Sequence, residues 1–224
     1  MPGNFTHGKK TNAAAEAATG TIGGAAAEDT AAKAEEAVTK LVSDIRSENE
    51  EVRTQAWLKA AHVGASAVGP LAELMAQPDI KVARAAKHGL WRLVRNVGCP
   101  GCGNEKNAVA AELIRLLGDN RRLPAVKREV LWMLSEIGGD ESVRPIAAIL
   151  SNPELREDAR MALQRIPGKK SLVALEAALK NVPAGFRPNI AQSLRQRGAK
   201  VRGLPCVKLK PTKKTAVKPP TDGP

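Results

Sequence analysis

Five times between residues 52 and 198 the chain repeats one apolar pattern that closes on a helix-ending residue. The closing residues are Gly64, Gly98, Gly138, Pro167 and Gly198, spaced 34, 40, 29 and 31 residues apart. Twelve residues before each stands Val52, Ala86, Val126, Leu155 or Phe186; eight before, Ala56, Leu90, Val130, Ala159 or Ile190; four before, Ala60, Val94, Leu134, Leu163 or Leu194. The residue immediately before is Val63, Val97, Ile137, Ile166 or, once, Arg197. Offsets of 12, 8, 4 and 1 fall on one stripe of an α-helix. A cation, Arg53, Lys87, Lys127, Arg156 or Arg187, stands eleven residues before every closing residue.

Each of these helices is preceded by another amphipathic run: Val38–Ile45, Val68–Met75, Val109–Leu117, Val143–Leu150 and Leu172–Leu179. Breakers separate the two, among them Ser47-Glu48-Asn49, Gln77-Pro78-Asp79 and Asn152-Pro153. The unit is therefore helix A, turn, helix B. Composition agrees: hydrophobic residues make up 43% but aromatics only 2%, with no Tyr, so Ala and Leu fill the apolar positions and a sheet is disfavoured. A single pair cannot bury its stripe, and repeats of this length reach stability by stacking. The fold class expected is all-α, a solenoid of about five helix pairs over residues 34–198. Residues 1–33, rich in Ala, Gly and Thr, read as a flexible leader turning helical toward its end. Residues 199–224 read as a basic Pro/Lys-rich tail that Leu204-Pro205, Lys210-Pro211 and Lys218-Pro219-Pro220 keep from being helical.

Glu51-Val52-Arg53-x-x-Ala56 resembles a HEAT repeat, and so does Asn152-Pro153-Glu154-Leu155-Arg156-Glu157-Asp158-Ala159 closing on Leu163 and Ile166. The resemblance is to the short variety also found in phycobilin lyases, and it covers about residues 34–198. It implies a right-handed α-α solenoid. It also implies a structural role for Arg53, Lys87, Lys127, Arg156 and Arg187, each capping the core by reaching an acidic or carbonyl group in the adjoining repeat. The architecture serves many functions, so function has to come from side chains.

Enzymatic readings find little support. The histidines are His7, His62 and His88, and no His-Glu pair occurs, so a similarity to the di-iron HEAT-repeat hydroxylases fails at its motif. No phosphate-binding Gly-rich loop, Gly-x-Ser-x-Gly elbow or HExxH is present. No catalytic residue of the phycobilin lyases maps onto this chain. The HEAT-like DNA glycosylases resemble it in size and charge and line a face with Trp and Arg. Here Trp57, Trp91 and Trp132 lie seven, seven and six residues before their closing residues, on nearly one face of successive B helices. They read first as fillers between repeats and second as platforms for a base. The carboxylates a glycosylase would need reduce to Glu129 and Glu136, without a motif. The chain is expected not to be an enzyme.

Binding is the remaining class. The net charge is +12, and half of the excess sits in residues 199–224, where seven Lys and Arg face Asp222 alone. Off the buried stripe, Lys59, Arg92, Arg95, Arg128, Arg165 and Arg195 form a candidate basic track on the B helices for acidic peptides or phosphates. Glu129, Glu136, Glu157 and Asp158 share those helices and dilute it. The leading expectation is a protein-interaction scaffold or adaptor with a protein partner, acidic in character. A nucleic-acid binder using the same cations and the tail is the alternative.

Three cysteines rule out a disulfide framework. Cys99-Pro100-Gly101-Cys102-Gly103 reads three ways: half of a zinc knuckle, a disulfide, or two free thiols in a loop. Four-coordinate zinc would need two more ligands, from Cys206, a His or a second chain. No other cofactor is expected. No stretch approaches the roughly 18 apolar residues of a membrane span, and the start of the chain is too polar for a signal-peptide core, so a cytoplasmic location is expected.

Overall fold

The computed structural model describes the backbone of residues 19–205 and the side chains from residue 28 onward. His7, Cys206 and the tail lysines from Lys208 on lie outside the described residues. Among the described residues there are ten α-helices and no strand: α1 (Thr19–Ile45), α2 (Glu50–Lys59), α3 (Val68–Leu74), α4 (Ile80–Val97), α5 (Gly103–Gly118), α6 (Pro124–Ile137), α7 (Asp140–Ile149), α8 (Arg156–Arg165), α9 (Lys169–Asn181) and α10 (Arg187–Gln196).

The chain divides into two compact units, Met1–Ile137 and Gly138–Pro224. In the first, α1/α2, α3/α4 and α5/α6 are pairs. The odd-numbered helices pack on one another (α1 on α3, α3 on α5), and so do the even-numbered ones (α2 on α4, α4 on α6). The second unit has the same construction in two pairs, with α7 on α9 and α8 on α10. This is the packing of a helical-repeat array, in which like helices of successive pairs lie side by side.

Local chemistry sets the helix boundaries. Asn49 accepts the backbone N–H groups of Glu51 and Val52 at 2.8 and 3.4 Å, and Asp79 does the same for Lys81 and Val82 at 2.8 and 3.4 Å. Asn152 accepts those of Glu154 and Leu155 ahead of α8. Each satisfies donors that the first helical turn leaves without a partner. The last helix closes on Gly198 at φ +83°, a left-handed backbone that glycine adopts without penalty. The N–H of Gly198 meets the Arg195 carbonyl and that of Ala199 meets the Leu194 carbonyl, both at 2.9 Å.

The recurring stripe is the core. Ala60, Leu90, Val94, Val130, Leu134, Ala159, Leu163 and Ile190 have no exposed surface. Val52, in the first turn of α2, is the member that stays at the surface, 38% exposed. α2 ends at Lys59, and two short 3-10 turns, Ala60–His62 and Gly64–Ala67, carry the chain into α3. α1 begins at Thr19, and from Ala25 on it runs through Ala- and Glu-rich sequence of high helix propensity, with exposed Lys33–Asp29 and Lys40–Asp44 pairs one turn apart.

Candidate functional site

α4 carries Lys81, Arg84, Lys87, His88, Arg92 and Arg95 and not one carboxylate. Lys81, Arg84, His88, Arg92 and Arg95 follow one another at three- and four-residue steps, so they form a single stripe opposite the buried one. Among the described residues, the side chains of Lys81, Arg84 and Arg92 make no hydrogen bond or ion pair.

Because α2 packs along α4, Trp57 of α2 comes beside this stripe. Its indole meets the His88 imidazole edge-on, with ring centroids 5.3 Å apart and planes at 72°. One turn further along α4 stands Trp91, with the Arg95 guanidinium 5.4 Å from its ring centre, close enough for cation–π attraction. The Trp91 indole N–H donates to Glu129 of α6 at 3.0 Å, and the same carboxylate accepts the Lys87 ammonium. Glu129 therefore neutralises one cation and fixes one indole while leaving Arg92 and Arg95 uncompensated.

Between α2 and α4 these side chains enclose an open cavity of about 540 Å³. Trp57, Trp91 and Leu58 supply apolar wall; Lys87, Arg92 and Arg95 supply charge; no carboxylate lines it. The adjoining depressions differ in that respect: one along the start of α2 is lined by Glu48 and Glu50, and one toward α6 by Glu129.

The other residues of the expected basic track are dispersed. Lys59 lines a separate groove with Leu41 and Asp44 of α1. Arg128 is half-buried on α6, and Trp132 stands on the same helix outside the α2–α4 cavity. In the second unit Arg165 is exposed at the end of α8, while Arg195 donates to the carbonyls of Val201 and Leu204 and draws the chain after α10 back along that helix.

Four of the five repeat cations take partners, of two kinds. Lys87 reaches Glu129 of the next pair, and the Arg156 guanidinium lies 4.8 Å from the Phe186 ring centre, also in the next pair. Arg53 donates to the Ser47 carbonyl at 2.7 Å and Arg187 to that of Val182 at 3.4 Å, each within the turn of its own repeat. The side chain of Lys127 has no hydrogen bond or ion pair among the described residues.

Two arginines not singled out as site or structural residues tie the second unit together. Arg160 of α8 pairs with Glu157 and bonds to Gln164 and to Ser193 of α10. Asn189 of α10 adds a bond to Glu157. Burial pushes the Glu157 carboxyl up, but the hydrogen bonds from Arg160 and Asn189 outweigh it and hold the group below the ordinary range. Arg197, the polar residue where the other copies have Val or Ile, donates to the carbonyls of Leu163 and Ile166, at 3.0 and 2.7 Å, and to that of Gly168 at 2.7 Å.

Cys99 and Cys102 are joined in a disulfide across the turn at Gly101, and Cys102 immediately precedes α5. In this state neither sulfur is a thiolate, the form that binds metal. No group of three or more His, Cys, Asp or Glu able to hold a metal occurs among the described residues. No described helix is long and apolar enough to cross a membrane.

No protein-family profile matches the sequence, and no curated protein does. Similar solved structures include a designed armadillo repeat protein in complex with a (KR)4 peptide, at 17% identity and a TM-score of 0.42 over 71% of this chain and 79% of that one. An engineered protein follows at 20% identity and 0.38 over 71% and 78%. A second designed armadillo repeat protein shows 15% identity and 0.33 over 70% and 98%. None of the three locates a site on this chain.

Proposed function

We propose that this protein is a HEAT-type repeat scaffold without enzymatic activity, and that the α2–α4 face of its first unit binds an acidic segment of a partner protein. The observation that carries this is the cavity bounded by Trp57, Trp91, Arg92 and Arg95 and free of any lining carboxylate. Buried aromatics and arginines are the residues that most often dominate the energy of protein interfaces. A face built on stacked helices loses little backbone entropy on binding. In support of the HEAT assignment, Lys87 and Arg156 each reach into the following helix pair. The reading needs no cofactor.

A nucleic-acid role is the second reading, favoured by two indoles beside Arg92 and Arg95. Against it, Glu48, Glu50 and Glu129 line the depressions on either side, so a long phosphate chain following α4 would meet carboxylates, whereas a short acidic cluster would not.

The test is fluorescence anisotropy of the full chain with labelled polyglutamate, single-stranded DNA and RNA at low and moderate salt. Polyglutamate binding that is lost on reversing Arg92 and Arg95 to Glu supports the scaffold reading. Nucleic-acid binding that exceeds it and survives moderate salt overturns that reading.

A further inference from the structure

The α2–α4 cavity has more apolar wall than capture of carboxylates requires. Trp57 and Leu58 of α2 and Trp91 of α4 line it, and all three are only half-buried by the protein's own packing. An indole left half-exposed in a concave site offers a large, rigid surface at small entropic cost. The two indoles are not equivalent in their polar groups. The N–H of Trp91 is taken by Glu129, so its ring is fixed and asks nothing of a ligand. The N–H of Trp57 has no hydrogen-bond partner among the described residues and remains available as a donor. Around this wall the charges are of one sign: Arg92 has no partner among the described residues, Arg95 lies against Trp91, and Lys87 is already paired with Glu129. A ligand that satisfies all of it has an apolar ring at its centre and carboxylates on both sides.

We propose that this cavity is an anchor site for a single aromatic side chain flanked by acidic residues in an extended segment of a partner protein. The ring packs against Trp57, Leu58 and Trp91. The flanking carboxylates are held by Arg92, Arg95 and the indole N–H of Trp57. This inference rests on the scaffold reading given above and adds the identity of the anchor to it.

The experiment is a titration of the full chain with three labelled octapeptides: all Glu, Glu with one central Phe, and Gln with one central Phe. The Phe-in-Glu peptide is expected to bind about ten-fold tighter than either of the others, the size of effect that burying one ring provides. Trp57→Ala should abolish that preference, and because it also removes one carboxylate donor, the all-Glu peptide should weaken with it while Arg92 and Arg95 still hold that peptide. Arg92→Glu, an exposed change that leaves the core untouched, should weaken both Glu peptides and spare the Gln peptide. Lys59→Glu, in a different groove, should change nothing. Equal binding of the two Glu peptides would overturn the anchor and leave the acidic-segment reading standing. Equal binding of the two Phe peptides would overturn the flanking-charge requirement. Failure of all three to bind would remove the scaffold reading and the anchor together.

Discussion

The Glu129 carboxylate on α6 accepts the indole N–H of Trp91 on α4 at 3.0 Å, and thereby joins two neighbouring repeats at the rim of the candidate site. The same group accepts Lys87, so one negative charge sets both the orientation of an aromatic wall and the local charge balance. Glu129→Gln keeps an oxygen for the indole and removes the charge. Affinity for acidic peptides is expected to rise about three-fold, since one unfavourable charge near a screened surface is worth a fraction of a kcal/mol to about one. Anisotropy titration reads this directly, and unchanged or weaker binding would place the peptide elsewhere.

Arg197→Met removes the guanidinium from the carbonyls of Leu163, Ile166 and Gly168, of which Ile166 and Gly168 keep the Ser171 hydroxyl. A loss of about 2–3 kcal/mol is expected from these partly buried acceptors. Arg197→Lys should recover only part of it, because an ammonium cannot span carbonyls that two guanidinium nitrogens now share. Urea unfolding followed by circular dichroism measures both variants.

Leu163 has no exposed surface in the stripe of α8. Leu163→Ala should cost about 2–5 kcal/mol as a cavity substitution, and Leu163→Asp should unfold the second unit by placing a carboxylate in that core. A Leu163→Asp melt indistinguishable from wild type would show the stripe to be misassigned.

Asp119 follows α5, and its side chain accepts the Arg121 guanidinium and then the Arg121 backbone N–H, which lower its pKa from 3.8 to about 2. The fold thus favours the ionised form. This contribution is complete above 3.8 and is lost as pH falls from there through about 2. A carbon-detected NMR titration should find the Asp119 midpoint near 2, and Asp119→Asn should remove the acid-dependent part. A midpoint near 4 would show that Arg121 does not hold the carboxylate in solution.

Reduction of Cys99–Cys102 opens a loop of only a few residues, so the expected loss of stability is about 2 kcal/mol or less. Helix content should be unchanged in dithiothreitol, because α4 and α5 are held by packing on either side of the turn. Loss of helical signal on reduction would instead make the bridge essential to the first unit.

The paired helices were legible because apolar periodicity and cap residues are local signals: Asn49, Asp79 and Asn152 mark starts that the structure realises through hydrogen bonds. The first nine residues of α1 carried no such signal, since Gly20, Gly23 and Gly24 lower helix propensity and Thr and Ala make no apolar stripe. The candidate site was legible in pieces. Trp57 and Trp91 stand at equal distances from Gly64 and Gly98, which places them in register. The role of His88 depended on how α2 and α4 rotate against each other, which no single helix records. Apart from Arg95 and Arg195, each three residues before its closing residue, the cations proposed as one track stand at different distances and hence at different angles around their helices, and Arg92 and Arg95 are the two that line the α2–α4 cavity together. The carboxylate-free run of α4 was visible throughout and is the signal that would have found Lys81 and Arg84.

Arg197 has a further consequence for how such a chain can be rearranged. In the other four copies the equivalent residue is Val or Ile, and Val97, Ile137 and Ile166 are buried. In the last it is a guanidinium spent on the backbone of the preceding pair. Duplicating α9 and α10 as they stand would carry that guanidinium, with its demand for backbone carbonyls, into the interior of the second unit, so a repeat copied for lengthening is better taken from a pair that ends in an aliphatic residue.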